Sequence, residues 1–164
     1  MQHLYLLLGS NLGDKRKYLE EAKKQIAEKL GDIQVKSGIY VSEPWGFTHE
    51  EDFYNQAILV ITDFAASEAM KKCLEIENIL GRERKKSGYE ARTIDIDILL
   101  YGSEIIKSKE LTVPHPQLHL RRFTLLPLCE IAPKIIHPVL KKSMLHLLEN
   151  CPDRGRVKKL VEEL

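Results

Sequence analysis

The 164-residue sequence predicts an α+β fold, an antiparallel four-stranded sheet with two helices on one face. Three observations predict it. Two stretches repeat apolar residues at helical spacing, four others have the β-branched or alternating composition of strands, and their order along the chain is β-α-β-β-α-β. That order is the split βαβ arrangement of ferredoxin-like folds.

His3 to Leu8 is an apolar run closed by Gly9, as expected of a strand buried on both faces. After the turn GSNLGD, Leu19, Ala22, Ile26 and Leu30 recur at helical spacing, with Asn11 or Asp14 able to cap the start and Gly31 ending the helix. Gln34 to Val41 and Phe53 to Thr62 read as strands, separated by an exposed loop from Ser42 to Asp52. The second helix is expected from Ser67, as N-cap, to Gly81, with Met70, Cys73, Leu74 and Leu80 on its buried face. Glu77 falls on or beside that stripe, where it must have a partner or sit at a wet edge. A polar segment, Gly81 to Ala91, leads into a strand from Arg92 to Tyr101. The last third adds a proline-punctuated segment, a helix through TLLPLCEIAP and a short C-terminal helical region, in which Leu160, Val161 and Leu164 are expected to dock on the body.

A single domain over residues 1–164 is expected, since no linker, repeat or low-complexity tract divides the chain. Lys and Arg number 25 against 24 Asp and Glu, a balance that argues against a dedicated nucleic-acid or polybasic membrane binder. No apolar run is long enough to cross a bilayer, and the five apolar residues before Gly9 make a poor signal peptide, so a cytoplasmic protein is expected. Cys73, Cys129 and Cys151 are too few and too scattered for a disulfide framework.

The sharpest chemical feature is Asp95 with Asp97 in TIDIDIL. Side chains two apart on a strand share a face, about 7 Å apart at Cα. Two hard oxygen donors so placed suit one or two Mg²⁺ ions carrying a nucleotide's phosphates. Taken alone, the pair is equally compatible with charges that discourage edge pairing. Its context favours the metal reading: from Arg82 to Arg92, Arg82, Arg84, Lys85, Lys86 and Arg92 oppose only Glu83 and Glu90, a net +3. Downstream, Thr112, His115, Arg121 and Arg122 cluster around Pro114 and Pro116, a stiffened turn suited to phosphate. The four-residue spacing of His115 and His119 is rejected as a zinc pair because Pro116 interrupts it and no HExxH occurs. GSNLGDK lacks the spacing of a phosphate-binding P-loop and reads as a strand-to-helix turn. Phe53 and Asn55 share a strand face, an aromatic plane beside an amide that suits a flat heterocycle.

The stretches YLLLGSNLGD, EPWGF, DFYNQAI, IENILGRERKKSGYEARTIDIDILLYG and LTVPHPQLHLRRFTLLPLCEIAP together resemble the 6-hydroxymethyl-7,8-dihydropterin pyrophosphokinases of folate biosynthesis. The resemblance implies transfer of pyrophosphate from ATP, as co-substrate, to the pterin hydroxymethyl group, with release of AMP. It implies that Asp95 and Asp97 ligate two Mg²⁺ ions and that Arg82 and Arg92 act with them in catalysis. Nucleotide contacts are implied for Glu77, Arg82, Arg84, Arg92, Thr112, His115 and Arg121, the likeness favouring the wet-edge position for Glu77. The pterin is implied to lie between Phe53 and Phe123, held by Asn55 and by the loop Ser42, Pro44, Trp45 and Gly46. Loops Ser42 to Asp52 and Arg82 to Arg92 would close over the substrates. Tyr89, Pro116, Leu74 and Glu110 depart from residues that some members carry, and none of them touches the aspartate pair.

No nucleic-acid or membrane partner is expected, and the short chain is consistent with a monomer. Two other readings remain at this stage. One is a different Mg²⁺-dependent kinase or nucleotidyltransferase using the same aspartates. The other is a ferredoxin-like RNA-binding module, against which stands the lack of the aromatic string such modules carry.

Overall fold

The computed structural model describes residues 1–44, 51–81 and 93–161. Strand β1 (Gln2–Ser10) is its centre, flanked antiparallel by β4 (Phe53–Thr62) and β5 (Asp95–Tyr101). On its far side β4 pairs in succession with β2 (Asp32–Lys36) and β3 (Tyr40–Ser42), and β3 in turn with β8 (Val157–Lys159). The result is a six-stranded sheet, with β5 at one end of the order and β8 at the other.

From Leu4 to Ser10, β1 is buried on both faces, as its apolar run predicts. Leu4, Leu6 and Leu8 pack beneath α1 (Lys15–Lys29) and α2 (Ala66–Ile79) in one core. Tyr5 and Leu7 enter a second core with Leu125 and Leu128 of α3 (Arg122–Ile131) and Met144 and Leu147 of α4 (Met144–Glu149). The expectation of helices on one face is therefore incomplete. The last third of the chain covers the other face, which is how an antiparallel strand comes to be apolar throughout.

The β-α-β-β-α-β order stands, with differences of physical origin. The strand expected over Gln34 to Val41 is two strands on the same edge of β4. At the break the Ser37 side chain substitutes for a ladder group: Ala57 N–H donates to its Oγ (2.9 Å), while Ser37 N–H donates to the Ala57 carbonyl (2.9 Å). Asp14 caps α1, its carboxylate accepting from Lys17 N–H (3.2 Å). Ser67 does not cap α2, which starts one residue earlier with Ala65 at the cap position and no side-chain bond. The buried face of α2 is Ala66, Ala69, Cys73, Ile76 and Glu77, with Met70 and Leu80 only partly buried against it. The small residues Ala66, Ala69 and Cys73 on this face let the helix approach the sheet. The C-terminal residues also differ from expectation: β8 is a strand, Leu160 N–H donates to the Ile39 carbonyl (2.7 Å), and Val161 is 84% exposed rather than docked. Leu164 lies outside the described residues.

Gly31 follows the helix end as expected, but for another reason. Leu30 closes α1 at φ −117°, so the stop requires no left-handed residue. A Cβ on Gly31 would collide with the Ile61 carbonyl of β4, which makes Gly31 the point of closest approach between helix end and sheet. Gly31→Ala should destabilise the protein by about 2 kcal/mol and lower Tm by roughly 4–8 °C in a thermal melt. A Tm within a degree of the parent would show that no such constraint exists.

Candidate active site

The site is laid out by strand register. In antiparallel pairs, residues directly opposite share a face. Gly9 of β1 stands opposite Asn55 of β4 on one side and Asp95 of β5 on the other. One step along, Leu7 stands between Ala57 and Asp97. Asn55, Gly9 and Asp95 thus form one row across three strands, with Asn55 and Asp95 about 10 Å apart by strand spacing. The row lies on the face covered by α3, because Leu7 and Ala57 belong to that core, whereas Ile94, Ile96 and Ile98 are buried under α1 and α2. Both aspartates are half-buried, as the alternation in TIDIDIL predicts.

Gly9 does more than close a strand, the only role its sequence position suggested. A Cβ there would sit 3.7 Å from Asn55 Oδ1 and 3.8 Å from Phe53 Cδ1, so the glycine brings the bare backbone of β1 beside the amide and the ring. The overlooked signal was a glycine inside a paired strand, which marks close approach of another group.

Asn55, 2% exposed, is held in one orientation. Its Nδ2 donates to the Tyr40 carbonyl (3.0 Å) and to Ser42 Oγ (2.8 Å), both on β3. A carbonyl accepts only, so the amide nitrogen must face β3, and Oδ1 is turned towards Gly9 as an acceptor. Ser42, expected from the loop, is instead the buried last residue of a strand, and Tyr40 was not singled out at all. Phe53 is half-buried on the same face two residues from Asn55, and Pro44 is half-buried just beyond β3.

The opposite wall comes from the proline-punctuated segment and the start of α3. Arg121 is buried and its guanidinium lies 5.2 Å from the centroid of the Phe123 ring, a cation–π contact. Its Nη2 also lies 3.2–3.3 Å from both ring nitrogens of His115. Gln117 N–H donates to His115 Nδ1 (3.1 Å), which assigns the proton of the neutral ring to Nε2. Burial first, then the Arg121 charge, push the His115 pKa down to about 4, against an opposing pull from Asp95. At neutral pH the imidazole is an uncharged donor. His119 points to a different partner, an edge contact with His137 at 6.2 Å between centroids, consistent with rejecting a His115–His119 metal pair. Thr112 is half-buried on β7 (Thr112–Val113), which pairs with β6 (Ile106–Lys107) and packs beside β5.

Glu77 corrects the sequence reading. It is 2% exposed rather than at a wet edge, and its Oε2 accepts from Ile96 N–H (2.8 Å), the residue between the two aspartates. β5 is an end strand, so this carboxylate takes an outward N–H that no neighbouring strand receives. Glu77 therefore braces the strand that displays Asp95 and Asp97. Trp45, Gly46, Arg82, Arg84 and Arg92, with most of the two loops expected to close, lie outside the described residues.

Among the described residues no group of three His, Cys, Asp or Glu side chains gathers to hold a metal. The pair of carboxylates still fits Mg²⁺, which keeps several waters and usually takes one or two carboxylates together with substrate phosphates. Their chemistry is all hard oxygen, and two like charges on one face favour a cation between them.

Comparison with known proteins gives a consistent outcome. The sequence pattern of the family described as 7,8-dihydro-6-hydroxymethylpterin-pyrophosphokinase (HPPK) matches residues 5–133. A 2-amino-4-hydroxy-6-hydroxymethyldihydropteridine pyrophosphokinase of Aquifex aeolicus is 42% identical over 145 residues, covering 88% of this chain and 89% of that protein. The Folic acid synthesis protein FOL1 of Dictyostelium discoideum is 41% identical over 94% of this chain, which spans 23% of that longer protein. A Plasmodium falciparum HPPK-DHPS structure superposes with a TM-score of 0.72 at 18% identity, over 92% of this chain and 43% of that one, a likeness of fold.

The depressed pKa of His115 has a consequence for stability. In the unfolded chain this ring takes up its proton near pH 6.5, whereas the folded site resists protonation down to about pH 4. Stability from this group is complete above pH 6.5 and falls as the pH drops towards 4, by about 3 kcal/mol in all. His115→Gln should show a shallower decline in Tm between pH 7 and pH 4.5 than the parent. Equal slopes would refute the assignment of a buried neutral ring.

Proposed function

This chain belongs to the 7,8-dihydro-6-hydroxymethylpterin-pyrophosphokinase family, and we propose on that premise how its residues divide the transfer of pyrophosphate from ATP to 6-hydroxymethyl-7,8-dihydropterin. The observation that carries the division is the row Asn55, Gly9, Asp95, with an amide acceptor at one end, a carboxylate at the other and a glycine without a side chain between them.

The pterin lies over Gly9 on the Asn55 side. Oδ1 of Asn55 accepts from ring N–H groups, and Phe53 and Phe123 supply aromatic faces from strand and helix. This lays the heterocycle across β1 with its hydroxymethyl arm towards Asp95 and Asp97. The triphosphate occupies the β5 side, where His115 donates from Nε2 and Arg121, stiffened by Phe123, supplies a positive charge in a setting of low dielectric. Arg82, Arg84 and Arg92 are assigned to the same phosphates from the sequence pattern, and Thr112 to the nucleotide.

Two Mg²⁺ ions held by Asp95 and Asp97 would neutralise charge gathering on the phosphate oxygens and ease loss of the hydroxyl proton. The hydroxymethyl oxygen bonds to the β-phosphorus of ATP as the bond from that phosphorus to the oxygen of the α-phosphate breaks, and AMP leaves. The hydroxyl proton passes to water on the face that carries Asp95 and Asp97. Most of the rate comes from alignment and charge stabilisation, since phosphoryl chemistry asks little else of a protein. Glu77 acts through β5, by keeping the two aspartates in register. A monomer in the cytoplasm belongs to the same reading; among the described residues no helix is long and apolar enough to cross a membrane.

Incubation with ATP, Mg²⁺ and the reduced hydroxymethylpterin should release AMP, read by chromatography. ADP in its place would mean simple phosphoryl transfer. Chelation of divalent cations should stop the reaction and added Mg²⁺ restore it. Asp97→Ala should lower turnover by at least about a hundredfold while pterin binding, followed by calorimetry, changes little. Turnover close to that of the parent would defeat the metal assignment.

A further inference from the structure

The family pattern ends at residue 133, yet the chain continues through α4 into a segment that returns across the molecule. Residues 151–161 touch both walls of the proposed pterin place. At the start of α3, Asp153 Oδ2 accepts from Arg122 N–H (3.0 Å), one residue before Phe123. Asp153 is itself steadied by Gly155 N–H, which donates to its Oδ1 (2.8 Å). The chain then forms β8 along β3, with Val157 opposite Ser42 and Lys159 opposite Tyr40.

Near the other end of α3 the segment closes on Glu130. Lys159 Nζ reaches Glu130 Oε1 (2.9 Å), which also accepts from the Tyr40 hydroxyl (2.7 Å), while Oε2 accepts from Gly38 N–H (2.9 Å). One carboxylate thus joins α3, β3, β8 and the turn between β2 and β3. Burial alone would raise the Glu130 pKa, but the bonds from Lys159, Tyr40 and Gly38 outweigh it and hold the carboxyl below its ordinary value, so it stays charged at neutral pH. Gly38 leaves the space this requires, since a Cβ there would stand 2.6 Å from Lys159 Cε.

Asn55 owes its orientation to β3, through the Tyr40 carbonyl and Ser42 Oγ. β3 is only three residues long and would be a bare edge without β8. Phe123 rides on α3, which the same segment holds at both ends. We infer that residues 151–161 form a strap that sets the gap between Phe123 and the Asn55–Phe53 surface, making Asp153 and Lys159 positioning residues for the pterin half of the site. The aspartate-bearing β5 lies at the opposite end of the sheet from β8, so the Lys159 end of the strap acts on the pterin half, whereas its Asp153 end also adjoins Arg121 through Arg122. The inference rests on the pterin placement proposed above.

Lys159 is partly exposed, so Lys159→Met removes the latch with little risk to folding. Steady-state kinetics of the full chain should show KM for the reduced pterin raised about tenfold, with KM for ATP changed less than about twofold. Lys159→Arg, which keeps the charge, should restore the pterin KM, and Asp153→Ala should also raise the pterin KM, from the other end of α3. An unchanged pterin KM, or equal rises in both KM values, overturns the strap, even if Tm falls. A parent protein that binds the reduced pterin in calorimetry without releasing AMP defeats the pyrophosphokinase reading alone, and the strap is then judged by whether Lys159→Met weakens that binding. A parent that binds no pterin defeats both.

Discussion

The pairing register of β1 is the constraint on which the rest of this molecule depends. Because side chains alternate faces along a strand, a one-residue slip of β1 against β5 would turn Asp95 and Asp97 into the α1–α2 core and Ile96 out of it. The same slip against β4 would separate Gly9 from Asn55. The apolar residues that hold the register are Leu4, Leu6 and Leu8 on one face and Tyr5 and Leu7 on the other. Catalytic geometry and hydrophobic burial are therefore the same specification, read on opposite faces. A bulge on β5, where the pairing shifts between Tyr5 and Leu6, lets Leu99 and Leu100 both join the α3 core while the aspartates keep their alternation nearer the start of the strand.

Charge is handled differently at the two ends of the row. Towards β3 the polar groups are paired within the protein, Asn55 with β3 and Glu130 with Lys159, Tyr40 and Gly38, which fixes their orientation. Towards β5 charged groups gather: two carboxylates on one face, a buried Arg121, and a His115 kept neutral beside it. Holding that imidazole uncharged avoids a second buried cation next to the guanidinium. The near-neutral sum of the whole sequence conceals these opposed local fields.

Much of this was legible in the sequence where the signal is local. The alternation of TIDIDIL placed two carboxylates on one face, the spacing of Leu19, Ala22 and Ile26 marked α1, and Phe53 with Asn55 shared a surface as expected. Motifs spread from residue 5 to residue 133 pointed to the family. Readings failed where a residue's role depends on a partner far along the chain. Glu77 looked like a wet-edge residue because nothing near it announces that Ile96, 19 residues on, offers an N–H. Gly31 looked like a helix stop, while its requirement is the carbonyl of Ile61.

The sequence by itself determined the β-α-β-β-α-β order of the core, the family, and the pair of carboxylates on one face of β5, because periodicity and motif spacing are properties of neighbouring residues. Only the tertiary structure decided that both faces of the sheet are covered, that Gly9 lies between Asn55 and Asp95, and that the C-terminal segment returns to hold α3 against β3. Each of these rests on contacts between residues distant in sequence, such as Glu130 with Gly38 across 92 positions, whose free energy is set by chain topology and packing and leaves no periodic trace in the amino-acid order.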